Sequence, residues 1–150
     1  MTVTVTNPET IRDEVAAFLE TDLVGSGKPA QAVYNYEKKD FSGQSPVVLV
    51  ATGGDNFNRH SNSERVKGSI YLDVLIFVLY SDDASGWTEA DCEDALNLVK
   101  KTTLDSIFNN QFTPSRSIFI EGRSNIIPAN VGGQSYRLER VALRVELFNG

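Results

Sequence analysis

The sequence predicts an α+β domain: a mainly antiparallel five-stranded sheet carrying two helices, in the order α-β-β-β-α-β-β. Three observations predict it. Residues 70–80, IYLDVLIFVLY, hold one charge, Asp73, and no proline, and are filled with side chains that suit a pleated, buried surface. Ile70, Leu72, Val74, Ile76 and Val78 fall on one face, and Tyr71, Leu75, Phe77 and Leu79 on the other. Both faces are apolar, so this is a central strand that needs cover on each side. Residues 11–23 and 88–110 repeat apolar residues at helical spacing. Only one of these helices lies between strands, which favours meandering antiparallel pairs over βαβ crossovers.

Taken in order, residues 1–6, MTVTVT, alternate threonine and valine and read as a short strand or as a mobile arm that orders on a partner. Asn7-Pro8-Glu9 opens the first helix with a cap, a first-turn proline and an acid at the positive dipole end. Ile11, Val15, Phe18, Leu19 and Leu23 form its apolar stripe, and the glycines and proline of residues 25–29 end it. Residues 32–40 read as a first strand and residues 47–51, VVLVA, as a second. Residues 52–64 are polar and rich in glycine and asparagine, and read as a long loop carrying Phe57, Arg59 and His60. After the central strand, Thr88 and Asp91 resemble a capping box for the second helix. Its buried stripe is Cys92, Ala95, Leu96, Val99, Thr103, Ile107 and Phe108. Residues 117–127 read as a strand broken near Gly122, residues 128–133 as a turn, and residues 136–148 as a last strand. In that strand Val141, Leu143, Val145 and Leu147 alternate with Arg140, Ala142, Arg144 and Glu146, so one face is buried and one is charged.

A chain of 150 residues is read as a single domain, 1–150, with the arm 1–6. The net charge of −6 argues against a stand-alone nucleic-acid binder. Residues 82–115 hold seven acidic against two basic side chains, a pattern that fits a solvated helix face. One cysteine excludes an intramolecular disulfide and a cysteine metal cluster. Residues 1–20 lack the basic start and apolar run of a signal peptide, and the run 74–80 is too short to span a membrane as a helix.

Chemistry is sparse. His60 is the only histidine, and neither Asp55 nor Glu64 stands at a spacing that would fix a catalytic pair. Asp82-Asp83 lacks a calcium-loop pattern and reads as a strand-end turn. Residues 25–29 have phosphate-loop composition but follow a helix, so they read as a helix stop. No nucleophile elbow occurs. Catalytic, cofactor and metal sites are therefore expected to be absent. Cys92 reads as a small core residue. Trp87 either caps the core or sits at an interface. Asp73 is either paired, with Arg140 or Arg144, or aimed into a wet subunit contact. The candidate interface residues are thus Phe57, Arg59, His60, Asp73, Trp87, Arg140 and Arg144.

The whole arrangement resembles the tail terminator proteins of long-tailed bacteriophages, and more loosely their tail-completion and head–tail joining relatives. The residues that carry the resemblance are the helix 11–23, the strands around Val33 and 47–50, the long apolar strand 70–80, the acidic helix WTEADCEDALNLVKKTTLDSIF and the final strand YRLERVALRVELF with its Leu147-Phe148 end. The resemblance is architectural and covers most of the chain. It implies a non-enzymatic virion protein without cofactors, located at the head-proximal end of the tail and in the host cytoplasm during assembly. It implies a ring, a hexamer, that stops tube polymerisation and receives the head. The implied partners are copies of itself, the tail tube protein and a head-completion or neck protein. DNA passes through the lumen without specific binding, kept off by an acidic wall such as the second helix, and no membrane is involved. Another tail-tube or neck structural protein is the alternative, and a small ligand-binding α+β domain a third reading.

Overall fold

The computed structural model describes residues 7–59, 66–82 and 85–148, with the side chains of residues 54–59, 66, 67, 123 and 148 left outside the description. The elements are α1 (Pro8–Leu23), β1 (Ala32–Tyr34), β2 (Val47–Arg59), β3 (Val66–Leu79), α2 (Glu89–Asn109), β4 (Phe112–Thr113), β5 (Arg116–Val131) and β6 (Gln134–Phe148). They build an α+β fold whose six-stranded sheet runs β1-β2-β3-β6-β5-β4. β1 pairs parallel to β2, and every other neighbouring pair is antiparallel. Strand β3 is central, as its two apolar faces require.

Four sequence expectations need correction. The sheet has a sixth strand, the two-residue β4, which pairs with the start of β5. The first strand stops at Tyr34 instead of reaching Asp40. The chain then leaves the sheet and crosses its outer face as a strap, residues 35–46, before returning as β2. The supposed loop 52–64 is largely ladder: β2 and β3 stay paired out to Arg59 and Val66, with one bulge between Thr52 and Gly54. Polar, glycine-rich residues make a strand there because the partner strand supplies the hydrogen bonds. Likewise residues 128–131 extend β5, and only Gly132 and Gly133 turn, both at positive φ. Pro128 is tolerated because β5 has no outer neighbour at that point among the described residues.

Both helices start as their sequences dictate. Asn7 Oδ1 accepts from the Glu9 amide at 2.9 Å. Thr88 and Asp91 form a reciprocal capping box. Ile11, Val15, Ala16, Leu19 and Leu23 of α1, with Cys92, Leu96, Val99 and Ile107 of α2, cover one sheet face. Beneath them lie Val48 and Val50 of β2, Ile70 to Val78 in alternation on β3, and Val141 to Leu147 in alternation on β6. Phe108 departs from the expected stripe and is 55% exposed, since the last turn of α2 has run past the core. No helix among the described residues is long and apolar enough to cross a membrane.

Two cations, one of them buried, tie the layers together. Arg116 is only 3% exposed; its guanidinium donates to Glu14 of α1 and to the carbonyls of Asn110 and Gln111 at the end of α2. Lys100 of α2 stands 2.8 Å from the buried Glu139 carboxylate of β6, and donates to Ser124 Oγ at 3.0 Å.

Candidate interaction face

The two sheet faces are covered unequally. Facing pairs across an antiparallel ladder share a face, so Tyr71, Asp73, Leu75, Phe77 and Leu79 of β3 join Tyr136, Leu138, Arg140, Ala142, Arg144 and Glu146 of β6 on the side away from the helices. Ser117, Phe119, Glu121, Asn125 and Ile127 of β5 fall on the same side, as does Phe112 of β4.

The strap covers one end of this outer face. Phe41 is buried between Phe77 and Tyr136, with ring centroids 5.0 Å and 5.5 Å away in edge-to-face geometry. Tyr136 donates its hydroxyl to the Gln44 carbonyl at 3.2 Å, and the Leu79 amide donates to Ser45 Oγ at 2.8 Å. Where the strap meets the β5–β6 turn, Gly132 has a φ of +59°, which favours glycine, and a Cβ there would lie 2.4 Å from Asp40 Oδ1, so the Asp40 side chain would have to shift. Burial, and secondarily the Asp40 charge, push the Tyr136 phenol above its ordinary pKa.

Beyond the strap, no other described segment is packed over the face. Asp73 accepts from Arg140 Nε at 2.8 Å. The lone charge of residues 70–80 is therefore paired, and Arg140 rather than Arg144 is its partner. Arg144 bonds Glu121 and Glu146, and its guanidinium carbon lies 4.8 Å from the centroid of the Phe119 ring. The hydrogen bond to Glu121 is the main reason its pKa is raised. Tyr71 is 37% and Phe112 69% exposed on the same side. The result is a surface of paired arginines and carboxylates set among aromatic rings, a composition typical of protein interfaces rather than of catalytic pockets.

The other expected interface residues do not gather there. Trp87 packs on the helix-side core and donates its indole N–H to the Leu79 carbonyl at 2.6 Å. Phe57 and Arg59 occupy the end of β2, opposite Gly68 and Val66. His60 lies outside the described residues. Sequence reasoning missed Phe112, Phe119 and Glu121. Phe119 and Glu121 stand opposite Arg144 and Ala142, but their alternation runs only a short way before the bulge between Glu121 and Asn125.

The surface clefts offer little chemistry. One of about 320 Å³ on the outer face has a floor of Leu49, Leu75, Phe77 and Val131 and a rim including Lys38 and Lys39. Another of about 200 Å³ opens between α2 and the β5 bulge, beside Lys100 and Ser124. Among the described residues no set of three or more His, Cys, Asp or Glu is gathered to hold a metal. The Cys92 thiol is pushed up chiefly by burial, the behaviour of a core residue and not of a nucleophile.

No protein-family model matches this chain, and no curated protein matches it in sequence. Among solved structures, it is similar to a chain in the virion of a native gene transfer agent particle. The two share 12% sequence identity and a TM-score of 0.46, over 94% of this chain and 92% of that one.

Proposed function

We propose that the chain is a structural component of a phage-like virion, and within it the terminator of the tail tube. It forms a ring, a hexamer, on the head-proximal end of the tube, stops further polymerisation and presents the surface to which a neck or head-completion protein attaches. The observation that carries this reading is the uncovered half of the outer sheet face. A two-layer domain that leaves Tyr71, Asp73, Phe112, Arg140 and Arg144 on an uncovered sheet face is built to be completed by other protein. A ring needs one patch to meet a different patch on the next copy. The outer face and the helix face of this fold are such a non-identical pair. Glu89, Glu93 and Asp94 are exposed at the start of α2, and facing the lumen they would repel passing DNA.

The test is to incubate the purified chain with its candidate tail-tube subunit and image the products in negative stain. Short tubes of uniform length, each with an added ring at one end, are expected. Tubes that lengthen without limit and carry no added ring would set this reading aside in favour of another tail or neck structural protein.

A further inference from the structure

We propose that the exposed stripe of α2 in one copy lies across the outer sheet face of the next copy, with its Phe108 end over Tyr71 and its Leu98 end over Phe112. This rests on the reading that copies meet head to tail in a ring, and it names the two patches that meet.

α2 has an outward face besides the one it buries. Leu98 and Phe108 are each 55% exposed, and neither belongs to the helix's buried set of Cys92, Leu96, Val99 and Ile107. Between them Lys101 and Asp105 are exposed and bonded to each other at 3.0 Å. Residues 98, 101, 105 and 108 follow a spacing of three, four and three, which places them in one arc of about 80° on a helix of 3.6 residues per turn. Apolar side chains at that spacing form the seam of a helix that packs on a partner. In its own chain α2 lies on the other side of the sheet, so the α2 that reaches the outer face belongs to another copy.

The outer face carries a matching row. Tyr71 of β3 stands opposite Arg144 of β6, which stands opposite Phe119 of β5. Arg144 donates to Glu121 of β5, and Phe112 of β4 stands opposite Ser117, two residues before Phe119. Crossing the strands in turn, the row reads aromatic, cation, carboxylate, aromatic. From Phe108 back to Leu98, the helix stripe reads aromatic, carboxylate, cation, apolar. The spacings agree as well. At about 1.5 Å per residue, Asp105, Lys101 and Leu98 lie about 4.5, 10.5 and 15 Å from Phe108 along the axis. Strands about 4.8 Å apart put β6, β5 and β4 about 4.8, 9.6 and 14.4 Å from β3. Asp105 then meets Arg144, Lys101 meets Glu121, and the apolar ends fall on Tyr71 and Phe112. The reverse direction sets Lys101 against Arg144 and Asp105 against Glu121, two like-charge contacts, so the charges fix the polarity.

Inter-chain cross-linking tests this. Two single-cysteine chains are made in a Cys92→Ser background, one with Phe108→Cys and one with Tyr71→Cys, then mixed and oxidised with and without the candidate tail-tube subunit. A disulfide-linked heterodimer is expected. Leu98→Cys mixed with Tyr71→Cys samples the reverse direction, is the control and should link far less. Adding Asp105→Arg to the Phe108→Cys chain sets a guanidinium against Arg144 and should remove most of the product, while the exposed position leaves the unfolding curve unchanged. Cross-linking no stronger than the control under both conditions, or product that survives Asp105→Arg, overturns the proposal. If the wild-type chain still caps tubes in that case, the ring reading survives and only this contact falls. If the expected cross-links form but tubes are not capped, the contact stands and the terminator reading falls.

Discussion

Arg116 Nε donates to Glu14 Oε1 at 2.7 Å, joining the start of β5 to the second turn of α1. The same guanidinium caps the carbonyls of Asn110, at 2.7 Å, and Gln111, at 3.3 Å, where α2 ends. One side chain thus fixes both helices against the sheet. Because Arg116 is buried, its removal strands those acceptors away from water. Glu14 is 41% exposed and recovers solvation, so the cost falls below that of a fully buried pair. Arg116→Met should lower stability by about 2–4 kcal/mol in urea unfolding, and Glu14→Gln by about 1 kcal/mol. Equal losses for the two would show that the carbonyl contacts contribute nothing.

The faces of β3 make a second prediction. Leu72 is fully buried under the helices, whereas its neighbour Tyr71 is 37% exposed on the outer face. Leu72→Ala should cost about 2–5 kcal/mol through lost burial and a cavity. Tyr71→Ala should cost less than about 1 kcal/mol, as surface changes do. A reversed order would mean that the faces have been assigned the wrong way round.

The division of β3 into two faces was already legible in the sequence, for a physical reason, but not which of them the helices cover. In β3 the apolar residues exceed what one face can hold, so its central place follows from composition alone. The lone charge Asp73 demanded a partner, and only the last strand offered arginines at alternating positions. Choosing Arg140 required the register, in which Asp73 lies opposite Ala142 and Arg140 sits one step diagonally away. The segment 52–59 was hidden for the opposite reason. Its glycines and asparagines carry no strand propensity, and its pairing is imposed by β3. The strap was hidden as well, since Phe41 in a turn-rich stretch gives no sign that its ring reaches Phe77 and Tyr136.

Tyr136 ties the strap to the pH dependence of the fold. A tyrosine in the unfolded chain titrates near about 10, and in the folded chain burial raises that value. Folding therefore favours the protonated phenol. Its contribution is fully present below about pH 10 and is lost as pH rises through the raised folded value. Tyr136→Phe should remove this part of the alkaline decline, while losing about 1 kcal/mol at neutral pH with the hydrogen bond to Gln44. Cys92 also has a raised value, but it is present in both proteins and cancels in the comparison. Parallel stability curves for the two proteins between pH 8 and pH 11 would contradict the burial of this phenol.

The outer face is tested by separating its internal pairing from what it displays. Exchanging the partners, Asp73→Arg with Arg140→Asp, keeps an ion pair across β3 and β6 but inverts its polarity. The pair is partly exposed, with side-chain accessibilities of 23% for Asp73 and 58% for Arg140, so the exchange should change stability by less than about 1 kcal/mol. A docking partner meets the inverted charges directly, and like charges facing each other across an interface are strongly unfavourable. The exchanged protein should therefore fold with an unchanged circular dichroism spectrum yet fail to cap tubes. Arg144→Glu should fail in the same assay, because it sets a third carboxylate between Glu121 and Glu146 and removes the cation from the Phe119 ring. The single variant Arg140→Asp, which faces Asp73 with a like charge, separates the two effects: it should both unfold earlier and fail to cap. If the exchanged protein and Arg144→Glu both cap tubes as the wild type does, the outer face is not the contact, and the helix face, with Leu98 and Phe108 each 55% exposed, becomes the surface to examine.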